Sequence, residues 1–261
     1  MSAEAAGLTW DELLDRAKRV GVALVPAGST ERHGSHLPIG TDAATAREVA
    51  RRVGSKTGAV VFPALPYGIS EHPAFQGAFL SGTTFSAVVR ELCLGIEKIG
   101  FRKILFISGH GPNNPGILSA LKELFEERPG QRLLGLAHCM TLVNQLMPDF
   151  VRDRPTGHSD FRETAIMLAV NAQQVHPDRA DMPEKILKPF SGSLKSTGVH
   201  LVGLENASIH LCHGIDELDT HGGYGQVKGA SKEDGEKILA VLSDFLCRVV
   251  DELRRVELPL V

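Results

Sequence analysis

Short apolar runs alternate with segments of helical period along this chain. VGVALVPAG (20–28) is rich in β-branched residues and bounded by glycines, which predicts a buried strand. DAATAREVARRVGSKT (42–57) then takes up a helical period, with Thr41 or Asp42 near its N-cap. AVVFPAL (59–65) predicts a second strand, and SGTTFSAVVRELCLGIEKIG (81–100) a helix that stops at Gly100. KILFIS (103–108) predicts a third strand, followed by a Gly-Asn loop and the helix ILSALKELFEER (117–128). QRLLGLA (131–137) predicts a fourth strand. This alternation implies an α/β fold with a parallel sheet covered by helices on both faces, and the near-continuous apolar strands agree. From 152 to 221 the pattern weakens to Gly, Pro and His with one clear helix, FRETAIMLAVNA (161–172). A long amphipathic helix, about 231–257, closes the chain. With no internal repeat and no linker, residues 1–261 read as one domain.

Composition narrows the partners. The chain is 43% hydrophobic and 23% charged, enough apolar material for a core that needs no disulfide or structural metal. A net charge of −3 argues against a nucleic-acid or anionic-membrane surface, and 5% aromatics argue against a base-stacking platform. No apolar run approaches the ~20 residues of a membrane span. The beginning of the chain shows no signal peptide, and the four cysteines form no CxxC pair, so the expected location is cytoplasmic.

Histidines carry the candidate chemistry. PAGSTERHGSHLPIGTD (26–42) follows the first strand and holds Glu31, His33, His36 and Asp42. Ligands bind outside the carboxyl ends of parallel strands, and imidazole with carboxylate is the usual donor set of a divalent ion. Glu31 and His33, two apart, share a face in extended backbone. Against this stands a polar, glycine-rich loop with surface histidines. A second cluster, ISGHGPNNPG (107–116), puts His110 at the end of the third strand between glycines, without the GK[ST] of a phosphate loop. Two such clusters in one sheet are best explained by convergence on one metal site. In PTGHSDFRETAIML (155–168), His158, Asp160 and Glu163 stand at a helix start, where Asp160 can equally serve as N-cap and Glu163 as its capping-box partner. The scattered His200, His210, His213 and His221 read as solvated or structural.

At these clusters the sequence resembles the creatininase (creatinine amidohydrolase) family. The resemblance rests on PAGSTERHGSHLPIGTD, SGHGPNN, GHSDFRET and THGGYGQVKGASKEDGEKIL (220–239), with a weaker match at YGISEHPAFQGAFLS (67–81). It implies a layered α/β/α sandwich with a mostly parallel central sheet. It also implies that Glu31, His33, Asp42 and His110 bind two divalent ions (zinc, manganese or iron), Asp42 bridging, with Glu31 and His110 on one ion and His33 on the other. His36 would stand behind the ligands, His158 would shuttle protons and Glu163 would reach the metal centre. The implied reaction is attack of metal-activated water on an amide-like carbonyl of a small molecule, with His158 protonating the leaving nitrogen. Family members commonly form homo-oligomers, hexamers among them.

The pattern departs in two places. Creatininase has a glutamate two residues after the histidine aligned to His110, where this chain has Pro112, so the second ion's carboxylate falls to Glu163 or Asp160. Creatininases also use tryptophans over the substrate, whereas the single Trp10 lies outside every motif, which argues against creatinine. Other creatininase-like enzymes act on formamides, peptides or cyclic ketones. A non-catalytic α/β binding module, or a relative that keeps its metal as a structural element, are the readings outside catalysis.

Overall fold

The structure is a computed structural model and describes residues 4–70, 76–184, 189–198, 200–212 and 221–259. Residues 71–75, His213 and Thr220, which fall within segments singled out above, lie outside the described residues. Helix α1 (Trp10–Arg19) leads into strand β1 (Val22–Ala27), the short strand β2 (Thr30–Glu31) and helix α2 (Thr41–Thr57). Strands β3 (Val60–Val61) and β4 (Gly77–Ala78) precede helix α3 (Gly82–Ile99), strand β5 (Lys103–Ser108), helix α4 (Asn113–Glu127) and strand β6 (Leu133–His138). Helices α5 (Cys139–Leu146), α6 (Pro148–Val151) and α7 (Phe161–Asn171) follow. Four strands, β7 (Pro189–Ser191), β8 (Leu194–Gly198), β9 (Leu201–Leu204) and β10 (Ala207–His210), come before the last helix, α8 (Lys232–Arg255).

The central sheet runs β3-β1-β5-β6 and is parallel throughout, with Val22–Ala27 in register with Lys103–Ser108 and the latter with Leu133–His138. Successive side chains on β1 and β5 point to opposite faces, and both faces are buried. Val22, Leu24, Leu105 and Ile107 join one core with residues of α2, α5, α7 and α8, whereas Ala23, Val25, Ile104 and Phe106 join the other with α1, α3 and α4. The result is an α/β/α sandwich. A second sheet, β10-β9-β8-β7, is an antiparallel meander, and β2 pairs with β4.

Local chemistry sets the helix ends. Ser81 caps α3 by accepting from Thr84 N–H, and Gly100 ends it in the left-handed conformation at φ 118°. Ser231 caps α8 in the same way as Ser81 does α3.

Several expectations are corrected. The run 59–65 yields only Val60–Val61 as strand, because beyond it the chain peels away, with one further bridge between Ala27 and Leu65. The Gly-Asn loop is shorter than expected, since α4 already begins at Asn113, with Pro112 at its N-cap. Thr41 and Asp42 do lie near the N-cap of α2, but Gly40 occupies that position and makes no side-chain cap. Asp42 lies inside the first turn, which frees its carboxylate for another task. The weakly patterned stretch 152–221 contains the antiparallel meander, which composition did not suggest.

Candidate metal centre

Three strand ends and two helix starts meet above the sheet. The end of β1 runs through Ser29 to Glu31 and His33, the end of β5 through Gly109 to His110, and the first turn of α2 delivers Asp42. Close approach of these segments needs glycine. A Cβ on Gly28 would lie 2.2 Å from the Ala43 nitrogen, and one on Gly109 would lie 2.2 Å from the Asp42 carbonyl oxygen. The start of α2 thereby drops between two strand ends, with its acidic side chain and helix N-terminus facing the site.

Glu31, His33, Asp42 and His110 are all buried, each at most 3% exposed. Asp42 is the hub: Oδ1 lies 3.1 Å from His33 Nε2, and Oδ2 lies 2.9 Å from His110 Nδ1 and accepts from Ser29 Oγ at 2.7 Å. Among the described residues, potential ligand atoms converge in three groups: Glu31 with Asp42 and His110, His33 with Asp42 and Glu163, and Glu31 with His33 and His158. Asp42 is common to the first two.

Backbone carbonyls orient each imidazole. His110 Nε2 donates to Ile69 O (2.7 Å), His33 Nδ1 to Glu31 O (3.1 Å) and His158 Nε2 to Arg32 O (2.9 Å). With one nitrogen of each ring committed to a carbonyl, the other is directed at the carboxylates, as in the outer shell of many metal sites. Both oxygens of Glu31 are buried and accept no hydrogen bond from the described residues; His110 Nδ1 approaches Oε1 to 3.3 Å and His158 Nδ1 only to 3.7 Å.

The charge balance is that of a cation site. Burial works against charge on His33, but Asp42, then Glu163 and Glu31, outweigh it and raise its pKa to about 10. His110 is likewise lifted well above its ordinary value against burial, chiefly by Asp42. Asp42 falls well below the carboxylate range despite its burial, held down by His33 and His110. Protons on these two imidazoles thus compensate buried carboxylates wherever a divalent ion does not, and ion and proton compete for the same nitrogens. Two orphaned oxygens, a shared carboxylate and two oriented imidazoles fit a divalent metal.

Glu163, in the first turn of α7, has its Oε2 4.0 Å from His33 Nε2 and accepts from Ser159 N–H at 2.7 Å. Burial raises its pKa to about 8, with Asp42 and Asp160 adding to the effect and His33 and Arg162 opposing it. Of the two acids considered for the place left by Pro112, Glu163 joins a ligand group, whereas Asp160 is occupied elsewhere: it caps α7 through Arg162 N–H and binds the Arg162 guanidinium. The capping reading therefore describes Asp160, while Glu163 reaches one residue further back than a capping box requires. His158 precedes the helix, and its ring stacks tilted against His33 with centroids 4.3 Å apart. Burial first, then His33, lowers its pKa to about 4. His36 joins no ligand group among the described residues: its Nε2 donates to Thr164 Oγ1 at 3.0 Å, fastening the first loop to α7 beside Glu163. The tail motif braces the same segment, with Tyr224 N–H donating to His158 O and Gln226 O accepting from Phe161 N–H. His200, His210 and His221 join no ligand group among the described residues.

A cavity of about 370 Å³ opens onto the carboxylates and is also lined by His138, Thr141, Asn144, Arg162 and Tyr224. His138 was not anticipated, although the rule that singled out His110 applies to it, since it ends β6 beside Ser108 of β5.

Comparison with known proteins agrees with this architecture. The profile of the creatininase (creatinine amidohydrolase) family matches residues 6–250. A creatinine amidohydrolase of Pseudomonas putida is 28% identical over 202 residues, 70% of this chain and 78% of that protein. A mycofactocin precursor peptide peptidase of Mycolicibacterium smegmatis is 35% identical over 167 residues, 61% of this chain and 62% of the peptidase. The fold superimposes on a manganese form of creatininase with a TM-score of 0.74 at 23% identity, covering 98% of this chain and 100% of that one. With a family match spanning nearly the whole chain and the same α/β/α layers, this protein belongs to the creatininase family.

Proposed function

We propose that this chain is a metal-dependent amidohydrolase that cleaves a C–N bond of a small cyclic amide or formamide. The observation that carries the reading is the Asp42 carboxylate shared between two ligand groups, beside a Glu31 carboxylate without a hydrogen-bond donor. Glu31, Asp42 and His110 would hold one divalent ion, and His33, Asp42 and Glu163 a second. Such ions, when bound, supply Lewis acidity toward a carbonyl oxygen and toward water. The carbonyls of Ile69 and Glu31 keep the His110 and His33 rings in ligating orientation. His158 holds its Nε2 proton on Arg32 O, so it exchanges protons at Nδ1, on the side of Glu31. Its lowered pKa leaves it neutral at pH 7; Nδ1 therefore first accepts a proton from the attacking water and then passes it to the leaving nitrogen. The relative that is a peptidase favours short peptides as a second substrate class.

The same reading makes the protein a cytoplasmic homo-oligomer acting on a small molecule. Its four unpaired cysteines suit a reducing compartment, and among the described residues no helix is long and apolar enough to cross a membrane. Elemental analysis of protein purified without chelator, beside the Asp42→Ala variant, tests the centre. About two ions per chain, lost in the variant, is the expected result. A metal-free wild type with an unaltered variant would return a binding module to first place. Creatinine, formamides and dipeptides form the activity screen.

A further inference from the structure

Two polar residues of the cavity lining, His138 and Asn144, join no ligand group among the described residues. His138 ends β6 and Nδ1 pairs with Thr141 Oγ1 at 2.8 Å. Burial, above all, keeps the ring neutral by lowering its pKa to about 4. Thr141 makes no other hydrogen bond among the described residues, and a hydroxyl proton given to Nδ1 would place the ring proton on Nε2. The Cε1–Nε2 edge faces Gly111, another cavity residue, where a Cβ would lie 3.7–3.8 Å away. Nε2 has no partner among the described residues. Asn144, three residues beyond Thr141 on the same face of α5, accepts from Arg162 Nη1 through Oδ1 at 2.7 Å. That bond fixes the amide orientation and leaves the Nδ2 protons for the cavity. The Arg162 charge is already matched by Asp160, so what this part of the lining offers is neutral: the Asn144 amide N–H groups and the His138 Nε2 edge.

We infer that His138, with its proton on Nε2, and Asn144 are substrate-recognition residues that hold an acceptor oxygen, a carbonyl or carboxylate, carried by the substrate away from the bond that is cleaved. The inference rests on the hydrolase reading. It restricts substrates to amides with a second acceptor group, and it leaves purely hydrocarbon amides disfavoured.

Hydroxamates anchored at one end by metal chelation test it. The manganese-loaded chain is titrated calorimetrically with butyrohydroxamate and with the monohydroxamates of malonic, succinic and glutaric acids and of their half-amides. In the wild type, at least one acceptor-bearing probe should bind about tenfold more tightly than butyrohydroxamate, as expected for one well-placed hydrogen bond. His138→Ala and Asn144→Ala should each erase most of that preference, while butyrohydroxamate affinity and metal content stay at wild-type values. Half-amides ahead of free acids would identify a carbonyl oxygen as the natural partner, and the reverse order a carboxylate. Equal affinity for all probes in the wild type, or a preference that survives both variants, overturns the inference. Failure of butyrohydroxamate itself to bind the loaded protein would remove the metal centre beneath it, a distinct result. Should His138→Ala not fold, Asn144→Ala, at an exposed position of α5, decides alone.

Discussion

At the scale of single residues the site depends on small contacts with large consequences. Gly109 has no side chain because Asp42 O occupies the position a Cβ would take. Gly109→Ala should push the first turn of α2 outward, cost about 1–3 kcal/mol of stability and lower metal affinity, measured by urea denaturation and by chelator competition. His158 belongs to a different class of change. It contributes to one ligand group but in the proposed reaction would also carry the proton step, while Glu31, Asp42, His110, His33 and Glu163 form the two groups that share Asp42. His158→Ala is expected to keep both ions and to lose about 10²–10⁴ in kcat, the usual share of general acid–base catalysis. Full activity in that variant would remove His158 from the mechanism.

Among the elements, α7 is the one whose start does most for the site. Asp160 caps it, Arg162 is held by that same carboxylate, and Glu163 projects from the first turn toward His33. Ser159, just before the cap, has φ 66°, an uncommon conformation for a residue with a side chain, held in place by its N–H bond to Glu163. Asp160→Ala should remove the cap and leave the buried Arg162 cation unpaired, a loss of about 3–5 kcal/mol in urea denaturation. It should also weaken metal binding, because Glu163 loses its fixed backbone. Asp160→Asn, which keeps a capping oxygen, should recover part of the stability. The motif 155–168 looked ambiguous because one short segment performs both tasks: its first acid builds the helix and its second faces the site.

For the whole molecule, the buried charge cluster predicts how stability follows pH. In the metal-free protein, Glu163 (raised to about 8) and His33 (raised to about 10) hold protons in the folded state that the unfolded chain releases near pH 4.5 and 6.5. The folded state therefore binds more protons between pH 7 and 10, and stability declines as pH rises through that window. His36, His138 and His158 are lowered to about 4 and act only below pH 6.5, with the opposite sign. Chelator-treated protein should lose several degrees in Tm from pH 7 to 10, whereas the metal-loaded form should show a much flatter profile. Parallel slopes for the two forms would place the ions elsewhere. The sheet and its covering helices were legible in the sequence because strands buried on both faces are continuously apolar, and helices on such a sheet keep a 3.6-residue stripe. The antiparallel meander was not, since its strands are short, β9 is half-buried and β10 exposed throughout, and neither shows strong alternation. The sequence by itself determined the donor chemistry: Glu31, His33, Asp42 and His110 stand at strand ends or a helix start, where an α/β sheet binds ligands. Only the tertiary structure decided that Glu163 rather than Asp160 faces His33, because the choice depends on which carboxylate Arg162 claims. It alone brought in His138 and Asn144, whose place in the cavity arises from the side-by-side register of β5 and β6, a long-range pairing that no local pattern encodes.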